Sequence, residues 1–100
     1  MIARLRKFFE HRRASRDAEV RQRDAIVRAV DCFEKVHKGE QTLGDMCTVI
    51  YSDAEKSVVR VCYGPTHTPY RAYFEIWRDG RIVGIPFQMA QTYGEERWHW

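Results

Sequence analysis

The sequence lacks the short motifs that mark most enzyme active sites. It contains no glycine-rich phosphate-binding loop, no nucleophile elbow and no HExxH pair. Cys62 and His67 lie close together in the chain, but no third residue stands out to orient the histidine as a base. The cysteines and histidines match no common zinc spacing. We therefore predict a non-enzymatic protein with no catalytic residue, no metal site and no cofactor.

Cysteines and long apolar runs are also scarce. The three cysteines include no CxxC pair, and a secreted disulfide scaffold would use an even and denser set. No apolar stretch approaches the length of a membrane span, and no apolar core of a secretory signal follows the basic N-terminus. These absences favour a cytoplasmic protein with reduced thiols and no membrane span.

The composition that remains is that of one small domain covering residues 1–100. Hydrophobic residues make up 44% of the chain and charged residues 31%, which suits a folded domain with a real but small core. The net charge of +3 is unevenly placed: residues 1–30 hold nine Arg and Lys against four Asp and Glu, and residues 31–100 hold eight against ten. This asymmetry favours an acidic or polyanionic partner.

Helical patterns dominate the N-terminal part of the chain. Residues 1–14 place a short apolar stripe among basic residues and predict a basic amphipathic arm, which either docks on the sheet or lies on a partner or membrane surface. Ser15 is a predicted N-cap, so the main helix covers residues 15–38, before Gly39. Its acidic residues precede basic ones at i, i+4, and its apolar stripe develops only after Asp24. We expect the half before that point to project into solvent.

Alternating patterns predict four strands after the helix. Residues 46–51 and 57–63 read as two strands joined by a turn, and residues 70–85 read as a hairpin around Asp79-Gly80. A two-residue turn there pairs Trp77 with Ile82 and Phe74 with Ile85. It also gives one apolar face, made of Tyr70, Ala72, Phe74, Ile76, Val83 and Ile85.

These elements predict an α+β fold. A long or broken N-terminal helix packs on a four-stranded antiparallel β-meander (residues 46–85), and a short C-terminal helix or tail follows at residues 87–93. The helix is expected to cover the Phe74, Ile76, Val83 and Ile85 side of the hairpin with its own apolar stripe. That stripe consists of Ile26, Ala29, Val30, Phe33 and Val36.

Two surfaces are candidates for partner contact. On the second face of the hairpin, Arg71, Tyr73 and Trp77 could form a platform that stacks bases beside a positive charge. Alternatively, these aromatic rings are core, covered by the C-terminal tryptophans or the N-terminal helix. The second candidate is a set of basic residues that track a phosphate backbone, meet an acidic protein patch or simply form a solvated helix face. Its members are Arg4, Arg6, Lys7, Arg12, Arg13 and Arg16.

The hairpin run YRAYFEIWRDGRIVGI resembles the central hairpin of the RelE/ParE toxin superfamily. In some members of that family, Arg and Tyr on the sheet serve an mRNA-cleaving site. The resemblance covers about sixteen residues, and this chain begins with a basic helix where the family has a strand. It implies an RNase-like toxin as one alternative, without assigning catalytic residues.

The leading prediction is a small binding or regulatory protein that acts by surface contact. Its partner is a protein or a nucleoprotein complex, and small phage- or plasmid-type inhibitors and adaptors offer an analogy of size and build. The first alternative is direct RNA or DNA binding through the basic helix and the aromatic sheet face. A homodimer is a further alternative, since the unshared helix half and the two-sided apolar sheet both expose surface.

Overall fold

The computed structural model describes the backbone of residues 2–97 and the side chains of residues 17–97. One long helix comes first, then a four-stranded antiparallel sheet in the order β1-β2-β3-β4, then a short helix. The α+β meander predicted from the sequence is confirmed. The bounds are α1 Ile2–Val36, a 3-10 turn at Gly44–Met46, β1 Thr48–Ser52, β2 Lys56–Tyr63, β3 Tyr70–Trp77, β4 Ile82–Ile85 and α2 Phe87–Thr92.

α1 is one continuous helix, so the predicted N-cap at Ser15 is wrong. The helix runs through Ser15 because its neighbours include no glycine or proline, and a capping residue alone does not stop a helix. At the other end, the His37 amide donates to the Phe33 carbonyl at 2.8 Å, and Gly39 takes a positive φ of 91° as the chain leaves. One of the predicted i, i+4 pairs, Asp24 with Arg28, closes at 3.0 Å.

α1 packs on the sheet through residues 25–33, and the described residues just before and after this stretch do not. Ala25, Ala29 and Phe33 are buried against strand residues that include Val59 and Phe74. Every residue from 17 to 24 is exposed, as expected for a helix that leaves the sheet before Ala25. Val36 is a correction: it was predicted in the buried stripe but is 71% exposed, because α1 has passed the core by its last turn.

The β3–β4 hairpin has a different register from the predicted one. Ile76 pairs with Ile82 and Glu75 with Val83, and the Trp77 amide donates to the Arg81 carbonyl at 2.8 Å. The loop therefore has three residues, 78–80, and Gly80 closes it with a φ of 100°. Asp-Gly signals a turn without fixing its length, and a three-residue loop ending in a positive-φ glycine is a common alternative.

This shift of one residue exchanges the two faces of β4. Val83 and Ile85 lie on the side of Tyr73 and Glu75, away from α1. The predicted apolar face is thus right for Phe74 and wrong for Val83 and Ile85.

β1 carries a second irregularity. Val49 pairs with Val59 but Tyr51 pairs with Val58, so a bulge at Ile50 places Val49 and Tyr51 on opposite faces. Strict alternation along residues 46–51 would place both on one face. Tyr51 instead meets Tyr93, with ring centroids 4.9 Å apart.

α2 partly covers the sheet face opposite α1. Ala90 of α2 is buried together with Val58, Tyr73 and Ile85. Gly94 follows with a φ of 101°, which agrees with the predicted stop after residue 93. In the part of the chain that the structure describes, no helix is both long and apolar enough to cross a membrane.

Candidate functional site

The aromatic platform predicted on β3 is not an open surface. Tyr73 is only 4% exposed, and the Phe87 ring of α2 lies over it with centroids 6.1 Å apart. A buried ring cannot offer its face to a base, so Tyr73 must be removed from the predicted contact residues. For Tyr73 the alternative prediction, that the ring is covered and part of the core, is correct. The element that covers it is α2.

Trp77 and Arg71 lie near the opposite ends of β3. Six residues along a strand separate them by about 20 Å. The Trp77 ring has the Lys56 ammonium and the Arg81 guanidinium each 4.5 Å from its centroid. Arg71 lies 5.4 Å from the Phe87 ring and donates a hydrogen bond to the Glu96 carbonyl at 3.2 Å. The two residues therefore belong to separate surfaces, with basic character retained around Trp77.

The six predicted basic contact residues belong to the N-terminal half of α1. Their backbone is helical and continuous with the part that packs on the sheet. Their side chains lie outside the described residues.

A polar cluster that the sequence reasoning missed occupies the sheet face under α2. Arg60 Nη1 donates to both oxygens of Glu95, at 3.0 and 3.1 Å, and the Glu95 side chain is only 4% exposed. Burial and the adjacent Glu95 carboxylate raise the pKa of Tyr73 well above its usual value. Arg60 within a valine-rich strand was the available signal, since a charge between buried residues needs a partner.

A second pair in this layer joins Tyr93 to Glu75. The Tyr93 hydroxyl donates to Glu75 Oε2 at 2.6 Å, and this hydrogen bond raises the pKa of Tyr93 to about 12. These two pairs tie α2 and the segment after it to the sheet. Their carboxylates are therefore engaged in internal contacts.

The cysteines are also engaged in the interior. Cys47 Sγ contacts the Leu43 carbonyl and Cys62 Sγ the Met46 carbonyl, both at 3.4 Å. Burial raises the pKa of both thiols, which disfavours the reactive thiolate. All three cysteines are free thiols. Among the described residues, no group of three His, Cys, Asp or Glu comes together that could hold a metal ion.

A polar concavity lies where α1 leaves the sheet. We call it the α1–hairpin cleft: it has a volume of about 290 Å³ between α1 and the ends of the β1–β2 and β3–β4 hairpins. The helix contributes Arg21, Gln22, Asp24 and Arg28, and the strand ends contribute Ser52, Ser57, Trp77 and Arg78. Three of these residues are arginines, and only one carries a carboxylate.

A larger and more apolar cleft of about 490 Å³ lies beside β4. Val36 of α1, Phe74 of β3 and Phe87 of α2 are among its lining residues. Nearby Ile82 and Val83 are 37% and 41% exposed, and β4 forms one edge of the sheet.

The fold and these surfaces define an α+β protein with one long helix over an antiparallel sheet and a basic cleft at the helix exit. A scan against protein-family models, a search of curated proteins and a search of solved structures each found no match to this chain.

Proposed function

We propose that this chain is a small non-enzymatic binding protein, an inhibitor or adaptor, whose α1 is the contact element for a protein or nucleoprotein partner. The observation that carries the proposal is the exposure of α1 from residue 17 to residue 24, beyond the last buried turn. A helix of 35 residues is about 52 Å long, and the sheet covers only part of that length. The exposed remainder continues into the basic N-terminal segment.

The internal pairing of the chemically versatile residues supports binding rather than catalysis. Glu95 is held by Arg60, Glu75 by Tyr93, and the two buried thiols by backbone carbonyls. Tyr73, the sheet tyrosine beside Arg60, is buried with them, which gives the RNase-like alternative no support. The three free thiols suit a reducing cytoplasm, which is the compartment we propose.

Charge reversal in the basic segment tests this proposal. Immobilised protein carrying Arg12→Glu, Arg13→Glu and Arg16→Glu together should retain at least about tenfold less partner from a lysate of its source cells, since opposite-charge steering is lost. Quantitative mass spectrometry of the retained proteins, with and without nuclease treatment, measures the effect and separates protein partners from nucleoprotein ones.

The matched control reverses three exposed basic residues elsewhere in the chain. Lys35→Glu, Lys38→Glu and Arg97→Glu change the net charge equally and leave the projecting half of α1 intact. This variant should retain the same partners as the native chain. Equal retention by both triple variants would remove the basic segment from the binding surface.

Direct nucleic-acid binding is the second candidate. It is favoured by the α1–hairpin cleft, where three arginines meet at the base of the basic helix. Both candidate functions use α1 as the contact element. They differ in whether α1 contacts a protein surface or the phosphates of a nucleic acid.

A further inference from the structure

We propose that the α1–hairpin cleft binds the phosphodiester backbone of a single-stranded nucleic acid through Arg21, Arg28 and Arg78. The inference rests on the proposed binding function and gives it a ligand and a site. The sequence pattern did not identify these arginines as one site, because they are far apart in the chain. Arg21 and Arg28 lie on α1, and Arg78 lies in the β3–β4 loop, 50 residues beyond Arg28.

The arginines of the cleft keep donors for a ligand. Arg21 Nε and Arg78 Nη2 each donate to a backbone carbonyl, of Asp17 and Asp53 respectively, at 3.3 Å. A guanidinium has five N–H donors, so one such bond leaves most of them for an anion. Three arginines against the single carboxylate of Asp24 give the lining a formal charge of +2.

The carboxylate that lines the cleft, and two more in the neighbouring turns, are matched by cations. Asp24 contacts Arg28 at 3.0 Å, and in the neighbouring turns Asp53 contacts Lys56 at 3.7 Å and Asp79 contacts Arg81 at 2.8 Å. The positive charge of Arg21 and Arg78 is therefore not offset by an unmatched carboxylate lining the cleft.

The size of the cleft selects a narrow chain. At about 290 Å³ it lies at the lower end of ordinary ligand pockets, which start near ~300 Å³. A duplex is too wide to enter it, whereas one strand can pass between the helix and the ends of the strands. Ser52 and Ser57 provide hydroxyls on its sheet side, hydrogen-bonded to each other at 3.1 Å.

Phosphate suits this lining better than a carboxylate-bearing peptide. Guanidinium groups bind phosphate oxygens through paired N–H donors, and a phosphodiester chain repeats its charge at each nucleotide, so several arginines can be engaged together. The strand can then continue along α1, whose N-terminal segment carries six more basic residues by sequence. Trp77 also borders the cleft.

Fluorescence anisotropy with labelled oligonucleotides tests the site. We expect oligo-uridine or oligo-deoxythymidine of about 15 nucleotides to bind the native chain. That binding should weaken as salt rises from about 50 to 200 mM. Arg21→Ala and Arg78→Ala should each lower the affinity and reduce the slope of log K against log salt by about one. Arg21→Lys, which keeps the charge but loses the paired donors, should bind more weakly than the native chain.

Arg23→Ala is the matched control, since Arg23 is exposed on the same helix and does not line the cleft. It should bind like the native chain, with circular dichroism confirming that every variant is folded. Equal binding by the Arg21, Arg78 and Arg23 variants would overturn the site. So would absence of binding at low salt, binding of duplex alone, or a poly-glutamate peptide that binds while the oligonucleotides do not. Partner capture that still depends on Arg12, Arg13 and Arg16 would then leave the proposed function standing without this ligand.

Discussion

The Arg60–Glu95 pair shows how single residues hold the C-terminal segment in place. The two side chains come from β2 and from the turn after α2, and they meet where both are largely shielded from water. An ion pair in such a place is costly to break, because the charge that stays behind loses both water and its partner.

We expect Glu95→Ala to lower the free energy of unfolding by about 3 kcal/mol, because Arg60 would remain buried without its carboxylate. Urea denaturation followed by circular dichroism measures the loss. The exposed neighbour provides the control, since Glu96→Ala should stay within about 0.5 kcal/mol of the native chain. The double variant Arg60→Met/Glu95→Met should recover part of the loss, and a double variant less stable than Glu95→Ala would contradict this account.

At the scale of elements, the β3–β4 loop determines which face each residue of β4 occupies. A two-residue loop would have placed Val83 and Ile85 on the sheet face that carries α1, whereas the three-residue loop places Ile82 and Gly84 on that face. Gly80 makes this loop possible, since its φ of 100° is one that side chains of L-residues rarely adopt.

We expect Gly80→Ala to lower the free energy of unfolding by roughly 1–2 kcal/mol, because a β-carbon is strained at this φ. Thermal and urea unfolding provide the measurement. Gly44→Ala is the matched control: Gly44 has no atom within 4 Å of an added β-carbon and no positive φ, so it should tolerate the change. Equal effects at both positions would show that the Gly80 conformation does not constrain the hairpin.

At the scale of the whole molecule, the position of α1 over the sheet separates core from surface. α1 packs chiefly on β1, β2 and β3, with Phe33 fully buried, and leaves a cleft beside β4. It also runs past the hairpin ends, which creates the α1–hairpin cleft. Packing of the two layers thus produces both the interior and the surfaces proposed for binding.

Phe33→Ala and Val36→Ala test this placement, since both residues lie in the apolar pattern of one helix. We expect Phe33→Ala to cost about 3–5 kcal/mol of stability through the cavity it leaves. Val36→Ala should change stability by no more than about 0.5 kcal/mol, because the side chain is exposed. Chemical denaturation of both variants measures these changes in stability. Comparable losses of stability would place Val36 in the core.

The sequence predicted the elements well and their mutual faces less well. Alternation identified β2, β3 and β4, and Gly94 located the end of the C-terminal helical segment. The alternating pattern did not predict the loop length after Trp77 or the bulge at Ile50. One extra residue in a loop or strand leaves the pattern almost unchanged, yet it moves every following side chain to the opposite face of the sheet. Of the predicted contact surfaces, Trp77 remains beside the α1–hairpin cleft and Tyr73 proved to be buried.

The sequence alone determined the α+β class, the strand order and the concentration of basic residues in the N-terminal helix, since propensity, periodicity and charge are local properties. Only the tertiary structure decided that Arg60 meets Glu95, that α2 covers Tyr73 and that Arg21, Arg28 and Arg78 line one cleft. Arg60 and Glu95 are 35 positions apart in the sequence, and Arg78 is 50 positions from Arg28 and 57 from Arg21. Their geometry follows from how the two helices pack on opposite faces of the sheet, which no local pattern specifies.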